Sequence, residues 1–179
     1  MIALQFHGRR YFRVGVEYYI SGRQAVLALH NVAGNLFHHA MEMMLKAPLR
    51  DSLTPNELRT KYMHRLTKVW ADVKTMANDN RLDAFDEFVM TIDMWEDLRY
   101  FDPKPNESVL LRLNPRRSGV TVTTRVPSKT YEATMEDFDE FFKTLLAVYS
   151  LSPSDIRSSM IGFAAEPAYD QANLHPIDK

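Results

Sequence analysis

Residues 34–47 read GNLFHHAMEMMLKA, a segment with the periodicity of a helix. Its apolar residues recur at the spacing of one helical face: Leu36, Ala40, Met43, Met44 and Ala47. His38, Glu42 and Lys46 are spaced by four and share the opposite side. We therefore predict an amphipathic helix here, with an ordinary surface ion pair between Glu42 and Lys46.

Further helices are predicted on both sides of this central one. Asn35 is expected to cap the central helix and Pro48 to end it. The run Thr54-Pro55-Asn56-Glu57 has the composition of a capping box with proline at the first helical position, so it predicts another helix start. Periodic apolar residues predict the other helices over 14–30, 63–77, 82–100 and 135–149. Gly22, inside the first of these, is expected to mark close helix packing.

The character of the sequence changes after residue 105. Two short stretches rich in apolar and β-branched residues, 108–113 and 119–126, are separated by a turn-forming segment and predict a β-hairpin. The fold class is therefore mainly α. We predict an antiparallel bundle of four to five helices over residues 10–102, then a C-terminal β-hairpin with one or two extra helices over residues 106–165. The last residues, 166–179, are predicted to form a loosely ordered tail.

The composition excludes several functional classes. The chain has 179 residues, a net charge of −1 and no cysteine, so it has no disulfides, no thiolate metal sites and no cysteine nucleophile. It contains no G-x-S-x-G, Walker or G-x-G-x-x-G motif. No apolar run approaches the roughly 18 residues that span a bilayer. We predict a cytoplasmic protein with no membrane partner.

Two clusters of polar residues invite a chemical interpretation. His38 and His39 lie one turn before Glu42, a spacing that lets a histidine and a carboxylate share a metal ion. Such a pair supplies two ligands and no second cluster accompanies it, so we predict no metal and no cofactor. Arg112, Arg116 and Arg117 form a basic patch in and near the predicted hairpin loop. That patch either contacts phosphates or is a solvated loop, and the balanced charge of the chain favours the solvated loop.

Four segments in this order resemble the HEPN superfamily of helical-bundle domains: YYISGR (18–23), GNLFHHAMEMMLKA (34–47), HRL (64–66) and WEDLRYFD (95–102). The central segment is similar to that superfamily's A-x-E-x-x-L-K pattern, here Ala40, Glu42, Leu45 and Lys46. The HRL segment resembles its H-D-L helix start, with Arg65 in place of the acidic residue.

This resemblance implies RNA or nucleotide chemistry, because many HEPN proteins are metal-independent ribonucleases and others bind RNA or partner nucleotidyltransferases without catalysis. Catalytic members place a histidine four to six residues after an arginine. Arg99 corresponds best to that arginine, but residues 100–106 contain no histidine, which argues against catalysis.

The site implied by the resemblance would draw on several helices. His64 would supply the proton-transfer group and Arg99 the cation that stabilises a phosphorane. Binding residues would be Glu42, Lys46, Tyr100 and Asp102. The structural alternative is that Glu42 and Arg99 form an internal ion pair while His64 begins a helix.

Two functions therefore remain open at this point. The first is a homodimeric HEPN-like domain that binds RNA or a nucleotide and either is a degenerate metal-independent ribonuclease or does not cleave. The second is a non-catalytic interaction module that assembles with itself or with another protein.

Overall fold

The computed structural model describes residues 1–27, 32–95, 109–114, 129–152 and 154. Their helices and strands, in chain order, are α1 (Phe6–Leu27), α2 (Ala33–Arg50), α3 (Pro55–Tyr62), α4 (Leu66–Ala77), α5 (Asp86–Asp93), β1 (Val109–Asn114), β2 (Lys129–Thr134) and α6 (Met135–Val148). A 3₁₀ helix, Asn80–Phe85, leads directly into α5. The prediction of a mainly α protein is confirmed.

Helices α1 and α2 approach each other closely because α1 presents a glycine every seven residues. A Cβ atom added at Gly8 would lie 2.7 Å from the carbonyl oxygen of Ala47, and one at Gly15 would lie 2.9 Å from that of Ala40. Gly22 is third in the series and meets an aromatic ring of α2, which agrees with the close packing expected there. Successive glycines along α1 face residues that come progressively earlier in α2, so the two helices are antiparallel.

Helices α4 and α5 are joined by a carboxylate that caps α4 from a distance. Arg65 occupies the N-cap position of α4 and makes no side-chain capping bond. Asp93, at the end of α5, instead accepts the backbone N–H of Leu66 at 2.6 Å and the hydroxyl of Thr67 at 2.8 Å. The start of α4 is thus capped by a carboxylate from a neighbouring helix and not by the residue that precedes it in the chain.

Helix α6 completes the core with aromatic side chains. Its N-terminus is fixed by a capping box between Thr134 and Asp137. Phe138 stacks on Phe37 of α2 with ring centroids 4.2 Å apart, and other rings of α6 contact α1 and the region around α5. The helices therefore share a single core cluster rather than separate ones.

The observed strand pairing is different from a hairpin. β1 agrees with the first predicted strand, whereas the second predicted strand, 119–126, lies outside the described residues. β1 pairs with β2 in parallel, from Val109 opposite Lys129 to Asn114 opposite Thr134. A hairpin joins antiparallel neighbours through a short loop, while a parallel pair needs a connection of about a dozen residues or more, which residues 115–128 are long enough to supply.

Three predicted helix boundaries are also corrected. α2 begins after Val32, which gives no side-chain cap, so Asn35 lies inside the helix. Pro48 also lies inside α2. A proline in the last turn removes only one backbone hydrogen bond, and packing against α1 stabilises the helix despite this loss. The helix predicted from residue 63 begins at residue 66, after Met63 adopts a φ of 52° and interrupts it.

Of the helix predicted over 82–100, α5 is the α-helical part, and residues 96–100 lie outside the described residues. The segment before α5 is a 3₁₀ turn in which Asp79 accepts the N–H of Arg81 at 3.1 Å. The helix predicted over 135–149 and the capping box at Thr54 both appear as expected.

Replacing Gly15 with alanine tests the close approach of α1 and α2. An exposed helical glycine gains about 1 kcal/mol of stability on becoming alanine, but here the methyl group would meet a backbone carbonyl that cannot move independently. Overpacking of this kind costs about 1–3 kcal/mol, so we expect Gly15→Ala to lower the free energy of unfolding measured with urea. Ser21→Ala, on an exposed position of the same helix, serves as control. A stabilised Gly15→Ala protein would contradict the packing described.

Removing the distant cap should weaken the connection between α4 and α5. Asp93→Ala leaves the buried N–H of Leu66 without its acceptor, and we expect the free energy of unfolding to fall by about 1–3 kcal/mol. Asp93→Asn should lose less, since its amide oxygen still accepts one bond. Glu87→Ala, on the exposed side of α5, is the control, and equal losses in Asp93→Ala and Glu87→Ala would argue against the cap.

Candidate functional site

An ion pair is buried at the centre of α2. Lys46 Nζ donates to Glu42 Oε1 at 2.5 Å, and the two side chains are 6% and 7% exposed. The sequence predicted an exposed pair on the polar side of an amphipathic helix, and this was wrong. The reason is that the segment between α3 and α4 covers that side, and Met63 in this segment accepts a second bond from Lys46 Nζ at 2.7 Å.

The covering segment has an unusual backbone. Met63 has φ 52° and ψ −121°, a conformation that residues with a side chain rarely adopt. Its carbonyl is the one that accepts from Lys46, while its own side chain is exposed. Backbone strain of about 1–3 kcal/mol persists only where surrounding contacts impose it. Here the contact that imposes it is the bond from the buried ammonium to the Met63 carbonyl.

Two histidines converge on the second oxygen of the same carboxylate. His64 Nδ1 lies 3.1 Å from Glu42 Oε2, and His39 Nδ1 lies 3.4 Å from that atom. The two rings are nearly perpendicular, with centroids 6.3 Å apart. The side chain of His64 is 47% exposed and that of His39 is 29% exposed, so both rings bridge a buried acid and the solvent.

These contacts determine the charge of Glu42. Burial alone raises the pKa of this carboxyl group, but the hydrogen bond with His39, the Lys46 ammonium and the hydrogen bond with His64 outweigh burial and lower the pKa to about 2. The carboxylate is therefore ionised at neutral pH. A buried, ionised carboxylate beside two imidazoles can orient each ring through Nδ1.

His38 has a different environment from its neighbour. Its ring is buried, with Nδ1 3.1 Å from the carbonyl oxygen of Ile92 and Nε2 3.0 Å from that of His64. The neutral ring donates to one of these oxygens, and the imidazolium form donates to both. His38 thus ties α2 to the end of α5 and to the backbone of His64, which fixes where the His64 side chain begins.

Three of the predicted site residues are brought together: Glu42, Lys46 and His64. The others fall elsewhere or outside the described residues. Arg99, Tyr100 and Asp102 lie outside the described residues, as do Arg116 and Arg117. Arg112 is on β1, away in sequence from the α2 site.

The positions of the three side chains bear on whether His38, His39 and Glu42 could bind one metal ion together. Consecutive residues diverge around a helix, and the ring of His38 contacts backbone carbonyls while His39 contacts Glu42. Across the part of the chain that the structure describes, no group of three or more potential ligand side chains is arranged to hold a metal ion.

Comparison with known proteins adds no relative from which a function could be transferred. No protein-family model, curated protein or solved structure matches this chain. Among the helices that the structure describes, none combines the length and apolar character needed to cross a membrane.

Two features of the site were missed by reasoning from the sequence. His39 was considered only as a metal ligand, although its i, i+3 spacing to Glu42 already indicated a direct contact. The role of the Met63 carbonyl could not be predicted, because nothing in the sequence of residues 62–64 indicates a positive φ at a methionine. His38 was considered with His39, and only the three-dimensional structure separates their roles.

The pH dependence of stability tests the ionised state of Glu42. A carboxyl group whose pKa falls from 4.5 to about 2 on folding contributes about 3 kcal/mol, fully present above about pH 5 and lost as the pH falls towards 2. Glu42→Gln should remove this acid-sensitive contribution. At pH 7 it should also cost about 3–5 kcal/mol, because Lys46 is left buried without its partner.

Urea unfolding at pH 7, 5 and 3 measures both effects. Glu87→Gln, at an exposed position of α5, is the matched control. The double variant Glu42→Gln/Lys46→Met should be more stable at pH 7 than Glu42→Gln alone, because no charge is then left buried. An unchanged acid-sensitive loss in Glu42→Gln would show that this carboxyl is not the group responsible.

Proposed function

We propose that this protein is a HEPN-like helical-bundle protein that binds RNA and cleaves it without a metal ion. The observation that carries the proposal is the 3.1 Å contact between His64 Nδ1 and Glu42 Oε2, with the imidazole half-exposed. Metal-independent cleavage needs a group that exchanges protons near neutral pH, and histidine is the side chain that most often serves as a general acid or base.

The contact with Glu42 also gives His64 a defined chemical form. A carboxylate that accepts a bond from Nδ1–H keeps the second ring nitrogen, Nε2, available as a proton acceptor. Glu42 is buried and ionised, so it also stabilises the imidazolium that forms when Nε2 takes a proton. In this proposal His64 removes the proton from the attacking hydroxyl group of RNA.

Lys46 is not available to the phosphate, since its ammonium is buried and bonds Glu42 and the Met63 carbonyl. The proposal therefore keeps Arg99 as the cation that stabilises the phosphorane, and Tyr100 and Asp102 as binding residues, on the strength of the family resemblance. The same resemblance supports a homodimer.

The alternative is a non-catalytic module for homo- or hetero-oligomeric assembly. Large apolar side chains that are well exposed, Phe6 at 75% and Met63 at 61%, favour it to a small degree. Single exposed apolar residues are normal on monomeric proteins, so they do not outweigh the polar site.

Cleavage of a mixed-sequence RNA in the presence of a chelator tests the proposal. We expect the wild type to cleave RNA and to leave DNA of the same sequence intact, because DNA lacks the 2′-hydroxyl. His64→Asn preserves a donor towards Glu42 and should lower the rate by about 100-fold or more. Arg99→Ala should also lower it.

His7→Asn is the matched control, since His7 is exposed near the N-terminus and far in sequence from the site. Equal rates in all variants would point to a contaminating nuclease and contradict the assignment. If no RNA is cut, RNA binding at two salt concentrations separates the remaining functions: phosphate contacts weaken steeply as salt rises, whereas an apolar protein interface does not.

A further inference from the structure

We infer that the surface at the start of α4 binds the phosphate backbone of RNA beside His64. This surface, the basic stripe, consists of Lys61, Arg65 and Lys68. The inference rests on the RNA binding in the proposed function, because the stripe binds the strand on which His64 acts. It supplies phosphate contacts that the site described above lacks, since Lys46 is buried there.

The segment that contains the stripe has charge of one sign. Residues 58–71 include no acidic residue and four basic ones: Arg59, Lys61, Arg65 and Lys68. The chain as a whole is balanced at a net charge of −1, so this concentration of positive charge is local. Clustered lysine and arginine side chains on one surface are the electrostatic feature that binds a nucleic-acid backbone.

Helical geometry and one ion pair place the three cations of the stripe side by side. Arg65 is the N-cap of α4, and Lys68 and Asp72 follow it by three and seven residues, a spacing that puts them on one face of the helix. Lys61 at the end of α3 reaches the same face, because its Nζ lies 2.8 Å from Asp72 Oδ2. The stripe therefore begins next to His64 and extends for about 10 Å along α4.

The stripe is open to solvent, and the charge at its centre is not neutralised by an ion pair. Arg65 and Lys68 are both exposed, and the adjacent side chain of His64 is 47% exposed. Within the part of the chain that the structure describes, Lys68 has no ion-pair partner. A phosphate that contacts Lys68 therefore displaces no existing protein contact of that ammonium.

The stability of the helix does not explain this arrangement. Cations in the first turn face the positive end of the helix dipole, and like charges three residues apart repel each other. The first turn of α4 holds no acidic residue that offsets Lys68. Asp93 already accepts the N–H of Leu66, so a bound anion interacts with the side chains and not with the helix terminus. A phosphate beside Lys68 and Arg65 reduces their repulsion, and this complementarity of charge favours a polyanion as the partner.

The polyanion that fits the stripe best is a nucleic-acid strand and not a lipid surface. A helix that lies on a membrane places its apolar face in the lipid. The apolar side chains of α4, including Leu66, Val69 and Val73, are instead buried in the core. The stripe therefore offers charge without an apolar face, which suits a backbone of phosphates in water.

Binding of 2′-O-methyl RNA, followed by fluorescence anisotropy at several salt concentrations, tests the stripe. This probe lacks the attacking hydroxyl group, so its binding is measured without cleavage. We expect Lys68→Ala to weaken binding of all sequences alike. It should also reduce the slope of the logarithm of the association constant against the logarithm of salt concentration by about 0.7, the share of one phosphate contact on a single strand. Lys143→Ala, at an exposed position of the acidic helix α6, is the matched control and should change neither quantity.

A variant that gains affinity separates the stripe from a loss of folding. Asp72 holds the ammonium of Lys61 and accepts the hydroxyl of Tyr62 at 2.5 Å. Asp72→Asn removes a negative charge from the end of the stripe and frees Lys61 to contact a phosphate. We expect this variant to bind the probe more tightly than the wild type, with a salt slope steeper by about 0.7. A variant that merely unfolds does not gain affinity.

The other outcomes separate this inference from the proposed function. If the wild type cleaves RNA but Lys68→Ala and Asp72→Asn bind the probe as the wild type does, the stripe is wrong and the proposed function stands. If the variants behave as expected and RNA is not cut, the stripe is supported and cleavage by His64 is wrong. If the protein binds vesicles of phosphatidylserine and phosphatidylcholine in place of the probe, and Lys68→Ala weakens that binding, the assignment to RNA is overturned. If the wild type binds neither, the stripe is wrong.

Discussion

The rest of the site depends on one requirement, which is that the buried Glu42–Lys46 pair must have all its bonds satisfied. Removing two charges from water costs several kcal/mol for each ion, and the pair persists only if further partners complete it. Met63 supplies a carbonyl to the ammonium, and His39 and His64 supply ring nitrogens to the carboxylate. The strained backbone between α3 and α4 and the placement of two histidines beside one oxygen follow from that requirement.

The helices around this pair give it a rigid frame. α1 lies close against one side of α2 because its glycines have no side chain at the contact. Asp51 at the end of α2 also accepts the N–H groups of Gln5 and Gly8, each at 2.8 Å. On another side, Asp93 joins α5 to the start of α4, one residue after Arg65. The segment that carries His64 is held at its start by the bond from Lys46 to the Met63 carbonyl and at its end by Asp93. A site built on fixed elements keeps its geometry better than one on a free loop.

Local sequence patterns predicted local structure well, whereas contacts between distant parts of the chain could not be predicted from them. The capping box at Thr54 and the aromatic periodicity of α6 depend on neighbours in the chain, and both appeared where expected. The burial of Glu42 depends on a distant segment folding over α2, and the parallel pairing of β1 with β2 depends on a connection that no short window contains. The same limit applies at the site to residues 38 and 39. These two adjacent histidines contact different partners, and the sequence does not distinguish them.

The proposed chemistry requires an ionised Glu42 carboxyl group, and NMR of a protein labelled with ¹³C in its glutamate side chains measures this ionisation. We expect the carboxyl carbon of Glu42 to keep the chemical shift of the ionised form while the folded protein is acidified from pH 7 to pH 3.5, since its pKa is about 2. The exposed carboxyl of Glu87 provides the internal comparison. A Glu42 signal that titrates with a midpoint at or above 4.5 would contradict the shared carboxylate on which the proposed chemistry depends.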